Sequence, residues 1–185
     1  MALTYSEMVP LGKEAPDFTL QGIDDRTHSL SSYQDKKGYV IMFLCVHCPY
    51  VVAVQNRIAA LAKEFSSQAI QFIGINSNDY TRYPDDSPEG MKAQAKKVGF
   101  EFPYLIDENQ TVAKEYGAVC TPDIFVFDSS KKLVYRGRID DNWKEPEKVI
   151  KQDLKDALTA LVHGKPVSTE QVASMGCSIK WKNHL

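Results

Sequence analysis

Two apolar runs and one amphipathic segment dominate the middle of the chain. The run GYVIMFLC at 38–45 is rich in β-branched and aromatic residues without polar alternation, which predicts a strand buried on both faces. Apolar side chains then recur at three- and four-residue steps, which predicts a helix with one buried face; they are Val51, Val54, Ile58, Leu61 and Phe65. AIQFIGINS predicts a second buried strand.

Shorter elements flank this centre on both sides. APDFTLQGIDDRTHSL predicts an N-terminal β-hairpin, because apolar and polar residues alternate on either side of a turn. Ser87 and Pro88 form an N-cap and N1 pair for a helix through Val98. FPYLID predicts a strand, and TVAKEY a short helix that Gly117 ends. IFVFDSSKKLVYRGRID predicts a second hairpin.

The C-terminal part is predicted to be helical. EPEKVIKQDLKDALTALVHG, at 145–164, predicts an amphipathic helix with Val149 among its buried residues. Ser168-Thr169-Glu170-Gln171 has the form of a capping box, which predicts one more short helix. The pattern therefore predicts an α/β fold in a single domain over 1–185, with a core at about 10–163 and a helical extension at 164–185.

Composition narrows the function classes. A chain of 185 residues can bury about 70 % of its unfolded surface without disulfides or metals. The formal net charge of −2 gives no reason to expect nucleic acid or an anionic membrane as a partner. The N-terminal residues lack the basic start and apolar centre of a secretory signal, and no apolar run approaches the ~20 residues of a membrane span. We therefore expect a cytoplasmic protein, whose thiols are kept reduced.

Two of the four cysteines, Cys45 and Cys48, are separated by two residues in FLCVHCPYVV, where the strand is predicted to become a helix. We expect both in the first helical turn, where amide dipoles stabilise a thiolate. Cys45, the more exposed of the two, would attack a disulfide, and Cys48 would resolve the mixed intermediate. His47, when protonated, would add a positive charge that favours the thiolate.

Two other interpretations of the cysteine pair stay open. The pair is compatible with two core cysteines that lie close by chance. It is also compatible with half of a metal site, although a zinc site needs a second Cys/His pair at similar spacing, which the sequence lacks. His47 or Cys120 would then complete a site for a soft metal. We assign no metal ligands from the sequence and expect no bound organic cofactor.

Motifs along nearly the whole chain carry a family resemblance; they are LGKEAPDFTL, FLCVHCP, YGAVCTPDIFVFD, YRGRIDD and the terminal GCSIKW. The chain resembles the thioredoxin superfamily, and within it the peroxiredoxin-like redoxins, of the alkyl hydroperoxide reductase and thiol-specific antioxidant type, that carry a C-x-x-C motif. The resemblance implies a thioredoxin fold, with a mixed central sheet flanked by helices. It predicts no oligomeric state.

The resemblance also implies a cis peptide bond between Thr121 and Pro122, beside the cysteine pair. Such a bond would hold the backbone of Thr121 open for pairing with an incoming peptide or thiol. Cys120 would lie close to the pair, as a third redox thiol or as a small core residue. Cys177 is a resolving or intermolecular thiol, or a residue packed under Trp181.

The sequence departs from true peroxiredoxins at the residues that polarise a bound peroxide. With Cys48 in the peroxidatic position, Ile41 and Cys45 stand where that family has proline and threonine. Pro122 stands where it has arginine. Fast reduction of peroxides is therefore not expected.

Thioredoxin itself is matched imperfectly too. Its buried aspartate is replaced by Tyr39, and the tryptophan before its first cysteine by Leu44. The histidine between the two cysteines, His47, is a feature that the motif shares with disulfide isomerases and oxidases. This predicts a redox couple more oxidising than thioredoxin, whose potential is about −270 mV.

The sequence as a whole predicts a thiol–disulfide oxidoreductase with antioxidant activity. Its partners would be protein or small-molecule disulfides, and its electrons would come from a dithiol protein or glutathione. One alternative is a slow thiol peroxidase in which Cys48 attacks the peroxide and Cys45 or Cys120 resolves the sulfenic acid. A non-enzymatic alternative is a soft-metal carrier that uses Cys45 and Cys48.

Overall fold

A computed structural model describes residues 3–182 of the chain. Its strands are Leu3–Tyr5 (β1), Thr19–Gly22 (β2), Thr27–Ser29 (β3), Gly38–Phe43 (β4), Ile70–Asn76 (β5), Tyr104–Ile106 (β6), Cys120–Thr121 (β7), Asp123–Asp128 (β8), Leu133–Arg136 (β9) and Met175–Ser178 (β10). Its α-helices are Pro49–Ser66 (α1), Pro88–Val98 (α2), Thr111–Tyr116 (α3) and Asp153–Val162 (α4). None of these helices is both long enough and apolar enough to span a membrane.

A mixed seven-stranded sheet forms the centre, in the order β3-β2-β6-β5-β4-β8-β9. β4 runs parallel to β5 and antiparallel to β8, so that Ile41 is opposite Ile73 on one side and Phe125 on the other. Every residue of β4 is buried, because the strand has neighbours on both edges and apolar layers on both faces. The sequence prediction of a central buried strand is confirmed.

Alternate residues of β4 point into two apolar layers, as the period of a strand requires. Val40 and Met42 face the layer that packs against α1 and α4. Tyr39, Ile41 and Phe43 face the opposite layer, which includes the buried ring of Tyr116. α1 buries the predicted apolar face, which comprises Val51, Val54, Ile58, Leu61 and Phe65.

A small antiparallel sheet, in the order β1-β10-β7, stands beside the central one. Its middle strand, β10, places Cys177 opposite Thr121 on one side and Leu3 on the other. The sequence analysis predicted no strand at β1 or at β10. This sheet brings the C-terminal part of the chain to the loop that follows α3.

Local signals placed several elements correctly. α2 has the predicted bounds, and the Ser87 hydroxyl caps it by accepting a hydrogen bond from the Gly90 amide at 3.3 Å. Both hairpins, β2-β3 and β8-β9, are antiparallel as predicted. α3 ends at Gly117, whose φ of 75° is the left-handed conformation that favours glycine at this position.

The prediction of one helix over 145–164 is wrong in its first half, because α4 begins only at Asp153. Val149 is extended, and Asp141 holds the chain there: its carboxylate accepts the Ile150 amide at 2.9 Å and its own amide donates to Lys151 at 3.1 Å. These contacts come from outside the segment, so helical periodicity alone did not reveal them.

The predicted helical extension at 164–185 is also wrong over its described part, to residue 182. The Ser168 hydroxyl accepts the Glu170 amide at 3.2 Å, as a cap begins, but no helix follows. The side chain of Gln171 instead contacts the backbone of Val134 and the guanidinium of Arg136. Pairing of β10 with strands on both sides then replaces helical hydrogen bonds by a ladder.

Candidate active site

The two cysteines of the C-x-x-C motif differ in their position relative to α1. The helix begins at Pro49, and Cys48 is its N-cap, with extended backbone angles. Cys45 lies between the end of β4 and the helix, so the prediction that both cysteines share the first helical turn is wrong. The free amides and the dipole of α1 therefore act chiefly on the sulfur of Cys48.

The sulfur of Cys48 is surrounded by hydrogen-bond donors. The thiols of Cys45 and Cys177 donate to it, as do the backbone amides of Val51 and Cys177. When protonated, Cys48 itself donates to the carbonyl oxygen of Thr121 at 3.2 Å. The fold has thus brought a thiol from the C-terminal strand into contact with the motif.

These donors lower the pKa of Cys48 to about 5. The thiol of Cys45 has the largest effect, followed by the thiol of Cys177 and the backbone amides of Val51 and Cys177, and together they outweigh burial, which acts in the other direction. Cys48 is therefore the thiolate of the site at neutral pH.

The pKa of Cys45 is shifted upwards, well above its ordinary value. Burial is the main cause, followed by the hydrogen bond that its thiol makes to Cys48 and by the negative charge of Asp86. Only the hydroxyl of Thr121, 3.2 Å from the sulfur, acts in the opposite direction among these groups. The sequence analysis expected the thiolate on Cys45, whereas these effects favour it on Cys48.

The expectation that Cys45 is exposed is wrong as well. Both Cys45 and Cys48 are 0 % exposed. The cover on the side of the motif is thin, since Val46 and His47 are half-buried and Pro49 is exposed. A substrate must therefore displace part of this cover, or the strand on the other side, before it reaches a sulfur.

The peptide bond between Thr121 and Pro122 is cis, as the resemblance implied. The side chain and the carbonyl oxygen of Thr121 contact the sulfurs of Cys45 and Cys48, each at 3.2 Å, so this loop adjoins the pair as expected. Its backbone is not open to a partner, however. β10 pairs with it, and Cys177 lies directly opposite Thr121.

Comparison with known proteins identifies the family of this chain. A family model described as AhpC/TSA family matches residues 11–136. The chain belongs to the AhpC/TSA family. The predicted peroxiredoxin-like membership and the thioredoxin-like α/β fold are therefore confirmed.

Relatives of this AhpC/TSA protein include thiol-disulfide oxidoreductases and a peroxiredoxin. It is 26 % identical over 133 residues to the thiol-disulfide oxidoreductase ResA of Geobacillus thermodenitrificans, with 70 % of each chain covered. It is 28 % identical over 159 residues to the chloroplastic peroxiredoxin Q of Populus jackii, which covers 82 % of this chain and 70 % of that one. A solved structure described as an uncharacterized conserved protein, from Geobacillus kaustophilus, is 45 % identical, with a TM-score of 0.94 over 100 % of this chain and 99 % of that one.

His47, inside the motif of this AhpC/TSA protein, is paired with a buried carboxylate. Its Nδ1 lies 2.7 Å from Oδ2 of Asp86, and its ring stacks on Tyr83 with centroids 5.5 Å apart. Asp86 also accepts hydrogen bonds from the Val46 amide at 2.7 Å and the Asn78 side chain at 2.8 Å. A positive charge on His47 would therefore be offset by Asp86 rather than acting alone on the thiolate.

Sequence reasoning missed Asp86 altogether. It lies before α2 in a loop whose polar sequence predicts exposure to solvent, yet Asp86 is 0 % exposed. No periodicity or motif marks it, because its partners Val46 and His47 come from the cysteine motif, and Asn78 stands eight residues before it in the same loop. The one local signal is that it stands directly before the N-cap Ser87, which fixes the loop at this point.

Three side chains of the site have the chemistry of metal ligands. Cys45, His47 and Asp86 each offer a ligand atom, and these atoms lie within 4.8 Å of one another. Thiolate, imidazole and carboxylate together suit a borderline metal such as zinc, which leaves a fourth position for another group. Of the two residues predicted to complete a metal site, His47 belongs to this group and Cys120 does not.

Cys120 is fully buried, next to the cis-proline loop. Burial and the adjacent carboxylate of Asp123 raise the pKa of its thiol. The thiol lies 3.7 Å from the Pro122 carbonyl oxygen and also hydrogen-bonds Asp123. These contacts favour the interpretation of Cys120 as a core residue over that of a third redox thiol.

Proposed function

We propose that this AhpC/TSA protein is a cytoplasmic thiol–disulfide oxidoreductase that cycles Cys45 and Cys48 between dithiol and disulfide. The observation that carries the proposal is the hydrogen bond from the Cys45 thiol to the acidified sulfur of Cys48. A thiolate at the N-terminus of a helix, in contact with a second thiol, is the arrangement that disulfide exchange requires. The name of the relative ResA points the same way.

The reaction begins on Cys48 rather than Cys45. The thiolate of Cys48 attacks one sulfur of a substrate disulfide, forms a mixed disulfide and releases the other sulfur as a thiolate, which takes up a proton. Cys45 then gives up its proton and attacks the sulfur of Cys48. This step closes the Cys45–Cys48 disulfide and releases the second substrate thiol, so the substrate gains two electrons and the protein loses two.

Cys45 is suited to this second step. Its raised pKa keeps it protonated while Cys48 is a thiolate, since two negative sulfurs in contact would repel each other. Once Cys48 is bonded to the substrate, its charge is gone and Cys45 ionises more easily. An external dithiol or glutathione would return the pair to its reduced form.

Trapping of the mixed disulfide tests this order of attack. In a Cys177→Ser background, which removes the other thiol in contact with Cys48, Cys45→Ser should accumulate a mixed disulfide at Cys48 with a peptide disulfide substrate, and Cys48→Ser should accumulate none. Mass mapping of the acid-quenched proteins identifies the bonded cysteine. A mixed disulfide at Cys45 in the Cys48→Ser variant, formed as fast as that of the other variant, would reverse the assignment.

Thiol peroxidase activity is a second candidate, and the low pKa of Cys48 favours it as well. The thiolate of Cys48 would attack a peroxide, forming a sulfenic acid and releasing an alcohol or water once a proton is added. Cys45 would then condense with it, release water and form the disulfide. A peroxide is small enough to need less displacement of the cover than a peptide.

The two activities use Cys48 and Cys45 in the same order, so the oxidant separates them and a Cys45 variant does not. In each case Cys48 reacts first and Cys45 completes the disulfide. We expect the reaction with hydrogen peroxide to be slow compared with that of a peptide disulfide, because Cys45 and Pro122 replace the hydroxyl and the guanidinium that polarise peroxides. Stopped-flow rates for the two oxidants decide between the candidates.

The soft-metal alternative keeps Cys45 but changes its other ligands, because the structure groups Cys45 with His47 and Asp86 and not with Cys48. Zinc binding there would occupy Cys45 and prevent formation of the disulfide. Metal analysis of protein purified without chelator, with thiol counts before and after chelation, separates a carrier from an enzyme. One bound metal per chain that survives dialysis, together with loss of thiol reactivity, would favour the carrier.

A further inference from the structure

The C-terminal strand β10 lies where an extended peptide would pair with the cis-proline loop. Cys177 is opposite Thr121, and Ser178 is opposite Cys120, in antiparallel register. Strand addition of this kind is a common way for a protein to bind a peptide through its backbone. In this chain the bound strand belongs to the protein itself.

Specific contacts hold β10 in this position. The hydroxyl of Ser174 donates to the Pro122 carbonyl oxygen at 2.6 Å, and the amide of Ile179 donates to the Val119 carbonyl oxygen at 3.0 Å. Gly176, between these two contacts along β10, lies very close to the backbone of Thr121. A Cβ added at Gly176 would lie 1.9 Å from the Thr121 carbonyl oxygen. Only glycine permits this approach, so the sequence of β10 fits the loop.

The strand also delivers a thiol to the reactive sulfur. Both the thiol and the backbone amide of Cys177 hydrogen-bond the sulfur of Cys48. Cys177 is 3 % exposed, so this contact is shielded from solvent. Cys48 therefore has two thiol neighbours, Cys45 from its own motif and Cys177 from β10.

We propose that β10 is a built-in substrate of the site, and that Cys177 exchanges with the Cys45–Cys48 disulfide to form a Cys48–Cys177 disulfide. The proposal rests on the oxidoreductase function given above, which it deepens by adding a third thiol to the cycle. It also assigns β10 a second role, because a disulfide through Cys177 would tie the strand to the edge that peptide substrates would use.

The exchange balances without an outside reagent. Cys177 loses its proton and attacks the sulfur of Cys48; the Cys48–Cys177 bond forms and the Cys45–Cys48 bond breaks. Cys45 leaves as a thiolate and takes up the proton, so one disulfide replaces another with no net change in oxidation. Reduction by an external thiol would then release both the strand and Cys48.

Oxidation of the motif prepares Cys177 for this step. In the reduced protein, burial and then the hydrogen bond and charge repulsion from Cys48 raise the pKa of Cys177 to about 12. A Cys45–Cys48 disulfide removes the negative charge on Cys48, and with it two of these three causes. The positive charge of Lys180, which acts in the other direction, remains.

The test is oxidation of the reduced full-length Cys45→Ser variant with glutathione disulfide, followed by acid quenching and mass mapping. Glutathione first adds to Cys48, and Cys177 then displaces it. We expect the Cys48–Cys177 disulfide to exceed the glutathione adduct by roughly tenfold, since a tethered thiol acts at a millimolar or higher effective concentration. A persistent glutathione adduct at Cys48, or a bond from Cys48 to Cys120, would overturn the proposal.

Two further variants, made in the Cys45→Ser background, control for nonspecific oxidation. Cys120→Ser removes another buried thiol near the site and should leave the yield of the Cys48–Cys177 disulfide unchanged. Gly176→Ala keeps the thiols but forces β10 away from Thr121, so the yield should fall several-fold. An unchanged yield in Gly176→Ala would show that the position of the strand is not what brings the thiols together, and would overturn the proposal.

Oxidation of the wild-type protein distinguishes failure of the Cys177 exchange from failure of the oxidoreductase function on which it rests. If oxidation gives the Cys45–Cys48 disulfide and the protein reduces a peptide disulfide, but Cys45→Ser keeps its glutathione adduct, only the proposal about Cys177 fails. If the wild type forms no Cys45–Cys48 disulfide under any ratio of the two forms of glutathione, the oxidoreductase function fails, and the exchange fails with it.

Discussion

The imidazole Nδ1 of His47 lies 2.7 Å from the buried carboxylate oxygen Oδ2 of Asp86, inside the turn that separates the two motif cysteines. The charge of this histidine is therefore not an isolated one. The carboxylate also lies close enough to Cys45 to raise the pKa of its thiol. Asp86 thus acts on Cys45 with a negative charge, opposite in sign to the charge that a protonated His47 would carry.

The first prediction concerns this carboxylate. Asp86→Asn removes the charge while keeping an acceptor for the Val46 amide, so the pKa of Cys45 should fall. The variant should also lose about 1–3 kcal/mol of unfolding free energy, because a buried charged hydrogen bond is lost. Urea denaturation and the ultraviolet absorbance of the thiolates measure the two effects. Asp85→Asn, at the adjacent exposed aspartate, should change neither.

The second prediction concerns ionisation of the reduced protein. Thiolate absorbance should rise as the pH increases through about 5, and Cys48→Ser should abolish this step. Cys45→Ala should move the step to higher pH, because the Cys45 thiol makes the largest contribution to the low pKa of Cys48. If the step instead disappears in Cys45→Ser and persists in Cys48→Ser, the thiolate is on Cys45, which would contradict this prediction.

The third prediction concerns the redox potential. A stabilised thiolate favours the reduced form, so the Cys45–Cys48 couple should be more oxidising than thioredoxin, at a potential above about −270 mV. Titration with reduced and oxidised glutathione, read by mass mapping, gives the value. Cys177→Ser keeps the measurement confined to the motif. A potential at or below that of thioredoxin would contradict the low pKa of Cys48.

The fourth prediction concerns Asp123, which follows the cis proline. Burial raises its pKa to about 6, although the hydroxyl of Ser6 donates to it at 2.5 Å. A folded-state pKa above the unfolded value of about 3.9 means that the folded protein binds the extra proton, so stability is lost as the pH rises from about 4 to about 6. Relative to Asp123→Asn, the wild type should lose unfolding free energy across that window.

The measurement for Asp123 is urea denaturation of both proteins at several pH values. Comparison with Asp123→Asn cancels the contribution of Cys48, which changes in an overlapping range of pH. A difference in unfolding free energy that is flat between pH 4 and 6 would show that the carboxyl is ionised normally in the fold. Ser6→Ala, which removes a donor to the carboxylate, should steepen the difference.

Much of the fold was determined by local features of the sequence. The continuous apolar run of 38–45 and the helical period after it placed β4 and α1, because burial on two faces or on one face leaves a different pattern. The same patterns put the cysteine motif at the junction of a strand and a helix. Residue types alone also gave the N-cap at Ser87 and the end of α3 at Gly117.

What the sequence by itself did not determine is which sulfur of the motif ionises and what covers it. The low pKa of Cys48 depends on the position of α1, which begins at Pro49 rather than near Cys45 as expected, and on donors from Cys177 in the distant strand β10. The burial of Asp86 and the strand at 175–178 depend likewise on contacts between segments far apart in the chain. A local pattern records the preference of a segment, whereas ionisation and strand pairing are set by whichever groups the tertiary structure places next to it.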